Sequence, residues 1–106
     1  LVQGVVIARK SFVNEHPEAI EQFLREYEKS SAFVNENIDE AAKLIVDAGI
    51  LGNVEIAKKA IPNCNISFSK GEAMHKAVEG MLAVLFEANP KSIGGKLPDK
   101  DFYYGI

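Results

Sequence analysis

Met74, Ala77, Val78, Met81, Leu82, Leu85 and Phe86 fall at i, i+3, i+4, i+7, i+8, i+11 and i+12, and no other stretch of the chain restricts the fold as tightly. That recurrence marks one apolar face of a helix. It predicts a helix from about residue 71 to 88, with a stripe wide enough to be covered on both flanks by other helices. Ser69 with Glu72 three positions on reads as a capping box that opens it. Gly80 lies inside it at a cost of about 1 kcal/mol relative to Ala, which suits close approach of another backbone.

Upstream, the same period recurs more weakly. Pro17 can open a helix, because its missing N–H is one that the first turn leaves unpaired anyway. Glu18 and Glu21 suit the positive end of the dipole. Ile20, Phe23, Leu24, Tyr27, Ser31 and Val34 then share one face of a helix ending near Asn35, with Glu21, Arg25, Glu28 and Lys29 on the solvated side. Before it, Ser11 reads as the N-cap of a short turn over residues 12–16, with Glu15 as its capping partner. Asn37 with Glu40 resembles a capping box for a helix over residues 38–48. Its expected inward side chains are Ala41, Leu44, Ile45 and Ala48, with Gly49 as the left-handed residue past its end. Gly52-Asn53 starts a short helix over residues 54–60, closed before Pro62. Asn63, Cys64 and Asn65 read as a turn, and residues 66–68 as a short extended piece.

The two ends read differently. Residues 2–8, Val-Gln-Gly-Val-Val-Ile-Ala, are rich in β-branched side chains and carry no charge. They read as a strand buried on both faces. Such a strand needs partners for its N–H and C=O groups, and the rest of the chain offers few. The expectation is that the sequence starts inside a larger sheet-containing protein. At the other end, Pro90 stops the long helix, Gly94 and Gly95 permit a reversal, and Phe102, Tyr103 and Tyr104 supply aromatic surface to dock.

Composition narrows the function classes. The 106 residues carry 12 Lys and Arg against 15 Asp and Glu, a net charge of −3, with no basic stripe. Phosphate binding needs a concentrated basic face, so no nucleic-acid partner is expected. No window approaches the ~20 apolar residues that span a bilayer. A single cysteine, Cys64, cannot form an internal disulfide. It has no neighbouring base, so it is read as a small, at least half-buried residue in a turn. His16 and His75 have no ligand-type residues at metal spacing around them. His16 is read as a local capping or solvent-facing residue, and His75 as a partly exposed surface residue. Gly94-Gly-Lys96 imitates the end of a phosphate-binding loop, but Pro90 and Leu97 stand where that loop needs Gly and Ser or Thr. Asp99 and Asp101 are too few oxygens for calcium. No catalytic residue, metal site or cofactor is expected, and the chain is not read as an enzyme.

An ordered set of motifs carries a resemblance. It comprises Gly4-Val-Val-Ile-Ala-Arg-Lys-Ser-Phe, Asn14-Glu-His-Pro-Glu-Ala-Ile, Phe23-Leu-Arg-Glu-Tyr, Ala32-Phe-Val-Asn-Glu-Asn, the Ala41-Ala pair and Ala60-Ile-Pro-Asn-Cys-Asn-Ile66 with Gly71 after it. It closes on Pro90-Lys-Ser-Ile-Gly-Gly-Lys-Leu-Pro and Asp101-Phe-Tyr-Tyr104. Together these span nearly the whole chain and resemble the ABC-transporter solute-binding proteins of the nitrate, sulfonate or taurine type, similar also to binders of thiamine-pyrimidine precursors.

The resemblance implies a two-lobed α/β fold of the type II periplasmic-binding-protein kind in the full protein. Residues 1–106 would be a single partial domain, the C-terminal segment. This segment is expected to be mainly α, with four or five helices and one N-terminal strand. It would belong to an extracytoplasmic solute-binding component of an importer, with the signal segment outside this chain. Ligand, a small organic or anionic nutrient, would lie between the lobes, and the transporter permease would be the protein partner. Cleft residues in open α/β sheets sit at the carboxyl ends of strands, which points to Arg9, with Asn63 and Asn65 in the polar turn as further ligand-binding candidates. An exposed apolar edge also implies self-association of the piece. The alternative is a helical interaction or sensor module on the same scaffold, without a transport role.

Overall fold

The computed structural model describes residues 2–106. The chain is mainly helical. Five helices follow in order: α1 (Lys10–Glu15), α2 (Pro17–Glu36), α3 (Ile38–Asp47), α4 (Val54–Cys64) and α5 (Gly71–Ala88). Two short 3-10 turns come last, Pro90–Ile93 and Lys100–Phe102. There is no strand among the described residues. The chain divides into two compact units, one of Ala8–Phe68 and one in which Ser69–Ile106 joins the residues before Ala8.

In the unit of α1–α4, α2 begins at Pro17 as its sequence requires and runs for 20 residues. Asn37, at φ −130° and ψ 61°, breaks the helical path between α2 and α3. Its side chain does not cap α3; Nδ2 instead donates back to the Phe33 carbonyl at 3.5 Å. The expected Asn37–Glu40 capping box therefore does not form. Gly49 does what was expected of it. With φ at +79°, its N–H donates to Val46 O and that of Ile50 to Ile45 O, the paired bonds of a Schellman end. Asn53 caps α4 with two bonds, its Oδ1 accepting from Glu55 N at 2.8 Å and Ile56 N at 3.2 Å.

The core of this unit is built from small residues. Ala42 and Ala57 are 0 % exposed, with Ala41 and Ile61 nearly so, and Phe33, Val34, Ile38, Ile45 and Val54 pack around them. With methyl groups facing each other, α3 and α4 pack closely and each alanine is fixed in size by its neighbours. The inward face of α3 is rotated from the periodicity reading: Ala42 replaces Leu44, which is 55 % exposed, and Ala48 is exposed at the C-cap. At the end of α2, Asn35 Nδ2 donates to Ser31 O at 3.1 Å and to Ile66 O at 2.8 Å, which fastens the segment after α4 to α2. Phe68 completes this contact by packing its ring 5.8 Å from Tyr27, itself 5.8 Å from Phe23.

In the other unit, α5 has the expected bounds. Lys70 is its N-cap and makes no side-chain capping bond, so the Ser69–Glu72 box is absent. Met74, Val78, Met81, Leu82 and Phe86 are half-buried, while Ala77 and Leu85 are exposed, and none of the stripe is fully buried. Among the described residues, and apart from α5's own nearby backbone, nothing lies within 4 Å of a Cβ built on Gly80, so the close approach expected there is not made. Asn89 ends α5 and its Oδ1 accepts from Lys91 N at 3.2 Å, while Ser92 Oγ donates to Asn89 O at 2.7 Å. Gly94 and Gly95, at φ +86° and +92°, then turn the chain, with Gly95 N–H donating to Pro90 O at 2.8 Å.

Four further expectations are corrected. Residues 2–9 form no strand, and Val5, Val6 and Ile7 are 61 %, 52 % and 82 % exposed where burial on both faces was expected. A strand exists only when a neighbour takes its backbone bonds, and nothing among the described residues does so. Ser11 lies inside α1, which starts at Lys10 with Arg9 as its N-cap and no side-chain capping bond. α4 does not stop before Pro62 but carries it inside and runs on to Cys64. Pro62 falls in the last turns, where its missing N–H leaves one helix carbonyl without its usual donor. Cys64 is thus helical and exposed, not a half-buried turn residue.

Candidate functional site

The three residues read as ligand candidates all lie in the unit of α1–α4. Arg9 is exposed at the start of α1, in extended conformation, and its carbonyl accepts from Val13 N–H at 3.0 Å. No strand precedes it, so the strand-end argument that singled it out does not apply to the structure described. Asn63 is in the last turn of α4, where Nδ2 donates to Lys59 O at 3.2 Å. Asn65 is the C-cap of the same helix, left-handed at φ +52°, a conformation asparagine tolerates better than most residues. Both asparagines therefore have local helix-ending roles. No hydrogen bond or ion pair joins Arg9 to either of them among the described residues.

Two open surface depressions lie in this unit, one along residues 36–40 at the α2–α3 joint and one beside Pro17, Glu18, Glu21, Gln22 and Arg25 at the start of α2. Neither includes Arg9, Asn63 or Asn65. No group of three His, Cys, Asp or Glu side chains able to hold a metal ion occurs among the described residues.

A polar arrangement covered by aromatic rings lies in the other unit, around His75. Glu72, His75 and Glu79 sit at i, i+3 and i+7 on α5, the spacing that stacks side chains on one helix face. His75 Nε2 lies 3.0 Å from Glu79 Oε2, and Nδ1 lies 3.7 Å from Glu72 Oε2. The imidazole side chain is 15 % exposed, and Nδ1 is buried without a hydrogen-bond partner. The reason is Tyr103. Its ring packs 4.3 Å from the imidazole, and Phe102 stands edge-on to Tyr103 at 5.3 Å. Tyr103 is the one buried member of the terminal aromatic group, whereas Phe102 is exposed.

Burial raises the Tyr103 phenol above the ordinary tyrosine value, and the negative charge of Glu79 adds to the effect. Chemically the group is a carboxylate–imidazole pair covered by an aromatic ring. It fastens the chain end to α5 and leaves little room for a substrate at the ring nitrogens. Sequence reading treated His75 as a partly exposed surface residue. The spacing of Glu72, His75 and Glu79 was visible, but the partner that covers them lies 28 positions on and no local pattern names it.

No protein-family model, curated protein or solved structure matches the chain. No described helix is long and apolar enough to cross a membrane.

Proposed function

We propose that this chain is the closing part of an extracytoplasmic solute-binding component of an ABC importer. The complete protein would have the two-lobed α/β fold of the type II periplasmic-binding-protein kind and hold a small organic or anionic nutrient between its lobes. Its protein partner would be the importer's permease, and it would carry out no catalysis. The observation that carries this reading is the ordered set of motifs along nearly the whole sequence, closing on Pro90-Lys-Ser-Ile-Gly-Gly-Lys-Leu-Pro and Asp101-Phe-Tyr-Tyr104. The exposed run of Val5, Val6 and Ile7 supports it, because successive residues of an extended chain point to opposite faces. Apolar side chains on both faces suit a strand inside a sheet covered by helices on each side. The half-buried stripe of α5 likewise has apolar surface left for a larger body to cover.

A second reading, a helical interaction or sensor module without a transport role, draws on a different observation. The exposed Phe23 and Tyr27 of α2 form an aromatic row with Phe68, the kind of surface that docks a protein partner.

The experiment is thermal unfolding of the intact gene product in the presence of nitrate, a short-chain sulfonate and a pyrimidine precursor of thiamine. A ligand that binds only the folded state stabilises it by about 2.7 kcal/mol at a hundredfold excess over Kd. A saturable rise in melting temperature with one of the three is expected. An intact product that begins near Leu1, folds alone as a bundle and responds to none of them would overturn the transport reading.

A further inference from the structure

No further inference is drawn: the strongest candidate, the exposed apolar segment before α1 that holds Val5, Val6 and Ile7, is an unpartnered surface and nothing in the structure shows what covers it.

Discussion

Ala42 and Ile61 test the α3–α4 core from opposite directions. Ala42 has no exposed surface and sits among residues that fix its size, so Ala42→Leu inserts carbon where there is no space. Overpacking of this kind costs about 1–3 kcal/mol. Ile61→Ala removes the largest side chain of the same cluster, and truncations of that class cost about 2–5 kcal/mol. Chemical denaturation should show both variants less stable. A neutral result for Ala42→Leu would mean that α3 and α4 are free to move apart. Tyr103 carries a separate prediction at high pH. Its folded pKa is raised, so folding favours the protonated phenol. That contribution is fully present below the ordinary tyrosine range of about 10 and is lost as the pH rises through the elevated folded value. A phenolate absorbance titration should therefore show a late-ionising step, and Tyr103→Phe should abolish it. If the parent protein shows no late step, or Tyr103→Phe keeps it, Tyr103 is not held against His75.

At the scale of elements, periodicity made the long helices legible because a helix satisfies its own backbone and needs only one apolar face to place it. The bounds of α5 and the start of α2 at Pro17 follow directly from the residues. Caps were less legible. Asn53 and Gly49 act as their types suggest, yet Ser11, the Asn37–Glu40 pair and the Ser69–Glu72 pair do not. A capping motif states that a bond is available, whereas the φ and ψ of the joint decide whether the side chain reaches the N–H groups. At Asn53 the extended backbone, φ −143° and ψ 122°, aims Oδ1 at two amides. At Asn37, ψ is 61° and the amide turns back to Phe33 instead. Asn53→Ala should accordingly cost about 1 kcal/mol, read as a lower melting temperature and faster amide exchange in the first turn of α4. Asn37→Ala should cost less, since no α3 amide loses a partner. Equal losses at the two positions would show that Asn37 caps α3 in solution. The candidate ligand residues belong here too. Arg9 was chosen by its place after a strand, and that argument cannot survive without the strand, whose existence depends on neighbours rather than on its own residues.

For the whole molecule, the consequence lies in apolar surface that the chain does not cover itself. Val5, Val6 and Ile7 are exposed in a segment with no charge or proline to discourage pairing. An extended apolar segment with unused backbone groups invites another copy to supply the missing ladder. The 106-residue chain should therefore sediment as a mixture whose average mass rises with concentration. Val6→Lys should shift it toward monomer, because a lysine in that segment places a charge where a second strand would have to bury it. The same substitution leaves the α3–α4 cluster untouched, so helicity and the melting of that unit should hold. A parent chain that stays strictly monomeric while residues 2–8 resist amide exchange would mean that the segment finds its cover within the chain. In that case the apolar run would no longer support a larger sheet, and the transport proposal would rest on the resemblance of motifs alone.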